Sequence, residues 1–166
     1  MANNADGWSF KTVVPMEMAI VCQDMDKMLE FYIGVLGLKL FADATAKPEN
    51  STKLGANPHG FRIVRLQTAS GEIVKLVQPL QDAPAPHPLP AWSMVAHGYA
   101  YLTFIVDDMP KMVKRLKEKG VKTLSDGPVE SRPGVFAYFF VDPENNFLEF
   151  AQYPDIAAYR PDLFKK

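Results

Sequence analysis

A chain of 166 residues, 48% of them hydrophobic, has enough apolar mass for a sizeable core and lies outside the composition of disordered chains. Its formal net charge of -1 gives no general electrostatic attraction to nucleic acid or anionic lipid, and no apolar run approaches the ~20 residues of a membrane span. The one cysteine, Cys22, excludes an internal disulfide and suits a reducing cytoplasm; the opening MANNADGWSF lacks the basic and apolar regions of a signal peptide, so a cytoplasmic location is expected.

In chain order, the pattern predicts a strand over 17–22, then a helix capped by Asp24 that runs to about Val35 and is stopped by Gly37. A strand over 38–41 follows, then a long polar loop over 42–60, then strands over 61–68 and 72–78. A proline-rich connector over 79–96 is too proline-dense to continue a ladder and favours extended, stiff geometry. The second half predicts strands over 101–106, 122–123, 136–141 and 147–152, with a helix after Asp108 that Gly120 ends, and then a tail over 154–166.

The two halves repeat one another. Asp108 minus Asp24 is 84, and the same offset pairs Met25 with Met109, Lys27 with Lys111 and Met28 with Met112. After one residue of slippage Gly37-Leu38-Lys39 matches Gly120-Val121-Lys122, and GEIVKLVQP from Gly71 resembles NNFLEFAQY from Asn145. Three matches in the same order indicate a duplication. Each copy, about 14–80 and about 97–153, reads as strand, helix and three strands. One such module leaves a sheet face uncovered, so the pair is expected to form one domain.

Paired modules with FYIGVLGLKL after the first capped helix start, and VDPENNFLEF at the end, resemble the vicinal oxygen chelate superfamily of glyoxalase I, extradiol dioxygenases, methylmalonyl-CoA epimerase and bleomycin- and fosfomycin-resistance proteins. The resemblance covers roughly 14–153. It implies an α+β fold of two βαβββ modules forming a single glyoxalase/dioxygenase-type domain, with cupped mixed sheets around one cavity for a small-molecule ligand. It also implies a homodimer, and a divalent metal held by four side chains from the first and last strands of the modules. By position these fall at Glu17, Lys75, Tyr101 and Glu149.

Two of the four disfavour a metal. A lysine ammonium is a donor with a positive charge and repels a cation, and a phenol keeps its proton near neutral pH and ligates poorly. Two carboxylates are fewer than the three or four protein ligands of a zinc site. The same residues suit metal-free acid–base chemistry. Lys75 would polarise a substrate oxygen, Glu17 or Glu149 would take a proton from carbon, and Tyr101 would donate one. The expected function is an enzyme of lyase, isomerase or epimerase type on a small oxygenated metabolite. The alternatives are a binding or resistance protein that sequesters its ligand, a metal-dependent dioxygenase with atypical ligands, and an internal Lys–Glu salt bridge that only completes the core.

Further candidates are ligand-binding. Arg62 and Arg65 lie three apart on one predicted strand and so point to opposite faces, one of them available to grip a carboxylate or phosphate. His59, at the end of the polar loop, can reach a cavity mouth. Phe136, Tyr138 and Phe140 alternate on one strand face and suit either a pocket for a ring-bearing ligand or ordinary core. His97 and His87 suit the rim and solvent. Cys22 shares parity with Met18 and Ile20, which puts it in the helix layer as an inert buried thiol.

Overall fold

The computed structural model describes residues 12–164; the opening segment read as lacking a signal peptide lies outside the described residues. The chain divides into two compact units between Pro84 and Ala85. Among the described residues no helix is long and apolar enough to cross a membrane.

In the first unit, β1 (Glu17–Val21) is followed by α1 (Met25–Leu29), which continues as a π-helical stretch over Glu30–Val35. The Asp24 carboxylate accepts the Lys27 amide at 3.1 Å. That bond, then the Lys27 ammonium, hold its carboxyl below the ordinary value. Gly37 takes φ +82, a left-handed stop that glycine reaches without a Cβ penalty. Then come β2 (Lys39–Ala46), α2 (Pro48–Lys53), β3 (Phe61–Gln67) and β4 (Ile73–Pro79). They form one sheet in the order β1-β4-β3-β2, with β1 parallel to β4 and the other pairs antiparallel. One face packs on the helix: Cys22, Met25, Met28, Phe31, Tyr32, Val64, Leu66, Val74 and Leu76 are all buried. Burying each such side chain contributes about 1.5–3 kcal/mol.

The second unit repeats this topology. Strands β5 (Leu102–Ile105), β6 (Val129–Arg132), β7 (Val135–Val141) and β8 (Phe147–Gln152) pair in the order β5-β8-β7-β6, and α3 (Met109–Glu118) follows β5. Asp108 caps α3 as Asp24 caps α1, accepting the Lys111 amide at 2.9 Å. The Gln152 side chain accepts the Met109 amide at 2.7 Å and ties the start of α3 to β8. Met109, Leu116, Tyr138, Phe140, Leu148 and Phe150 form the buried layer. In the DPENN turn, the nearly buried Asp142 accepts the Glu144 and Asn146 amides at 2.9 Å each, which makes that motif a structural turn. The duplication is therefore real at the level of topology.

Four expectations are corrected. The polar loop over 42–60 contains the second half of β2 and all of α2. Small residues 42–46 pair with Phe61–Arg65 along an edge strand, and Pro48 starts the helix. The strand expected at 122–123 is only an isolated bridge, Thr123 to Phe140. Its place in the sheet is taken by β6, where a Pro133-Gly134 turn folds Val129–Arg132 back onto β7. The tail carries a short helix, α4 (Ile156–Tyr159), capped by Asp155. Tyr101 also falls just outside β5.

Candidate functional site

Strand register sorts the expected residues by face. Arg65 pairs directly with Lys75 across β3 and β4, and Ala19 with Lys75 across β1 and β4. Side chains of residues paired in this way lie on one face. That face, turned away from α1, carries Glu17, Arg65 and Lys75. The Lys75 ammonium sits 3.0 Å from a Glu17 carboxylate oxygen, with side chains 24% and 34% exposed. A pair this accessible contributes about 0–1 kcal/mol. Arg62 is on the opposite face, where its guanidinium forks Asp43 at 3.1 and 2.7 Å. The hydrogen bond from Arg62 holds the Asp43 carboxyl below the usual range and in turn raises the guanidinium. Arg65, not Arg62, is thus the arginine on the Glu17–Lys75 face. His59 pairs with Asp82 at 2.9 Å and is a loop-to-loop tie.

In the second unit, the face of β5, β7 and β8 turned away from α3 bears a recess of about 240 Å³. Glu149 lies in it and accepts the Thr103 hydroxyl at 2.5 Å, its partner in register across β5 and β8. Phe139 pairs with Glu149 across β7 and β8, and the Tyr101 ring stands edge-on to Phe139 with centroids 4.9 Å apart. Tyr101, Thr103 and Glu149 therefore share one face. Ile105, Ala137 and Ala151 give the recess an apolar wall. At its far end Arg132 lies 5.7 Å from the Tyr153 ring centroid and donates to the Tyr153 hydroxyl at 3.4 Å. Tyr159 stacks on Tyr153 at 3.9 Å. A hydrogen bond with Tyr159, then burial, raise the Tyr153 phenol above its ordinary value, so it is a neutral hydroxyl at neutral pH.

Tyr138 and Phe140, expected to contact a ligand, do not line this recess. They are 1% and 0% exposed and occupy the other face of β7, in the layer with Phe150. Alternation along the strand correctly puts them together, but the face they share is the one α3 covers. Thr103, Arg132, Tyr153 and Tyr159 are site residues the sequence reading missed. Thr103 was within reach, sharing the parity of Tyr101 one step along the strand. Nothing local marks Tyr159, which arrives through the α4 turn.

The donor set does not fit a divalent cation. An ammonium is already seated on Glu17, and Tyr101 is packed against a phenyl ring. Among the described residues no three His, Cys, Asp or Glu side chains gather as a metal site.

Comparison with known proteins bears on this geometry. The profile of the Glyoxalase/Bleomycin resistance protein/Dioxygenase superfamily matches residues 15–150. A relative from Bacillus subtilis (strain 168), the uncharacterized protein YwkD, is 28% identical over 134 residues, which is 80% of this chain and 91% of that protein. Among solved structures, a glyoxalase family protein from Bacillus cereus is similar with a TM-score of 0.72 at 20% identity, covering 87% of this chain and 96% of that one. The trypanothione-dependent glyoxalase I of Leishmania major is similar with a TM-score of 0.61 at 18% identity, covering 89% and 92%. At these identities the structural likenesses speak for the fold alone.

Proposed function

Since the chain belongs to the Glyoxalase/Bleomycin resistance protein/Dioxygenase superfamily, we propose that it is an enzyme that moves a proton on a small oxygenated metabolite, in lyase, isomerase or epimerase fashion and without a metal. The observation that supports this reading is the Glu149 carboxylate, oriented by Thr103 within an open recess. The Thr103 hydroxyl engages one oxygen and aims the other, which takes a proton from a carbon next to a carbonyl. The electron pair left behind moves onto the carbonyl oxygen as an enolate. Tyr101, on the same face, gives its phenolic proton to the enolate, and the proton taken by Glu149 passes through solvent to the Tyr101 phenolate, which restores both groups. Ile105 and Ala151 place apolar groups beside the carboxylate in the recess. On the first unit's own sheet, Lys75, held in place by Glu17, is a candidate donor to an oxygen of a small molecule.

Deuterium exchange at the acidic carbon reads this step directly. In D₂O the wild-type protein should exchange that hydrogen in responsive members of a panel of keto and hydroxy compounds, by NMR. Glu149→Gln keeps the shape and removes the base, so exchange should slow by roughly a hundredfold or more. Equal rates in variant and wild type would end the proposal; binding without any exchange would make the protein a ligand carrier. Lys75→Met separates two roles. Slower exchange at an unchanged melting temperature assigns Lys75 to chemistry, whereas a lower melting temperature with exchange intact makes its pair with Glu17 structural.

Homodimerisation is also part of the proposal. Val21, Trp92 and Met94 are exposed apolar side chains, a kind of surface that protein contacts commonly cover. Light scattering at micromolar concentration should give twice the chain mass, and a monomer mass would remove this part.

A further inference from the structure

The recess that holds Glu149 has a second, chemically different end. Along β7, Phe139 is opposite Glu149 and Val135 is opposite Arg132. The two ends are four residues apart, about 13 Å at roughly 3.3 Å per residue. Of the arginines in contact with other groups, Arg62 and Arg160 each fork a carboxylate of the chain itself. Among the described residues Arg132 has no such partner, and its contacts are the Tyr153 hydroxyl and ring. Neighbouring acids are engaged elsewhere: Glu130 accepts the Gly134 amide at 2.7 Å, and Asp155 caps α4.

Position and orientation are also built. Gly134, at φ +73, turns β6 into β7 directly after Arg132, and a Cβ there would meet Pro154 at 3.1 Å. The turn is thus packed on the segment that carries Tyr153. Tyr153 is in turn backed by Tyr159, so the guanidinium rests on a fixed aromatic support with most of its five donors unspent.

We propose that Arg132, oriented by Tyr153, receives a carboxylate of the substrate, so that the substrate is a small carboxylic acid whose reacting carbon lies toward Glu149. This rests on the reading of Glu149 as the base in the same recess. A planar guanidinium fork matches the two oxygens of a carboxylate. A phosphate dianion would find one cation and no second Lys or Arg along this recess, with the Glu149 charge in the same space. The apolar stretch between the ends, from Ala137 and Ala151 to Ile105, suits a compact hydrocarbon or ring body.

The test is calorimetric titration of the full chain with benzoate, benzamide and phenyl phosphate, alongside the exchange assay. Benzoate and benzamide differ chiefly in charge. Wild type should favour benzoate by roughly tenfold to a hundredfold, the range for charge-assisted bonds to one guanidinium. Arg132→Met should abolish that preference; Arg132→Lys, which keeps the charge but loses the fork, should retain only part of it. Glu149→Gln should keep the preference and lose exchange. A preference that is absent in wild type, or that survives Arg132→Met, overturns the subsite. Phenyl phosphate binding tightest would also overturn it as a carboxylate site. Loss of exchange in Glu149→Gln without any carboxylate preference sinks the subsite alone, and the preference without exchange sinks the enzymatic reading alone.

Discussion

Phe140→Ala should cost the second unit about 3–5 kcal/mol, the range for emptying a phenyl from a packed core. Phe140 is fully buried, its ring 4.5 Å from Phe150, which in turn meets Phe104 at 6.4 Å. Alanine there leaves a void on the buried face of β7 and β8, in the layer that also holds the fully buried Leu116 of α3. Denaturant titration followed by circular dichroism would show it as a lower midpoint. The same variant checks a register assignment. Phe140 pairs with Leu148 and Phe139 with Glu149, so Phe140 faces away from the recess. Benzoate affinity of the folded variant should match wild type, and a loss of affinity at unchanged stability would show that Phe140 lines the site after all.

Gly60→Ala is expected to be nearly as damaging, for a different reason. Gly60 holds φ +82 and is buried where the end of β2 meets the start of β3. A Cβ would lie 2.5 Å from the Ala46 carbonyl oxygen and 3.2 Å from the Pro48 nitrogen. Both are backbone atoms, so a side chain cannot swing aside to relieve the contact. The last residue of β2 and the first turn of α2 must move, on top of the left-handed penalty of about 1–2 kcal/mol. The total should reach about 3 kcal/mol. Gly55 is the internal control. Its φ is +68, but nothing lies within 4 Å of its added Cβ, so Gly55→Ala should cost only about 1 kcal/mol. Equal midpoints for the two variants would refute the steric argument.

Much of the fold was legible because the signals are local. Asp24 and Asp108 announce their helices by the same amide bond three residues on, and Gly37 and Gly120 end them with positive φ. The period of two in β1 and β4 put Glu17 and Lys75 on one face without further help. What escaped depends on partners far along the chain. The second half of β2 and all of β6 are edge strands, paired on one side only, and their residues are small or charged, so they read as loop. Periodicity also shows that Tyr138 and Phe140 share a face but not which face receives α3. Choosing Arg65 over Arg62 needed the register with Lys75. Tyr159 needed the tail to turn back, which no motif announces.

The parallel pairing of β5 with β8 sets the order in which the Glu149 site can assemble. Strand β5 has a single neighbour in its sheet, and that neighbour is the last strand among the described residues. The Thr103–Glu149 bond spans 46 residues, and closing a loop of that length has an entropic cost that local helix and hairpin contacts do not bear. The hairpins β6–β7 and β7–β8 can zip from their turns, whereas β5 must wait for a finished β8 before it has anything to pair with. The hydroxyl that aims the carboxylate therefore reaches it only at the final closure, and fraying of this edge strand alone is enough to separate the two while the rest of the sheet stands.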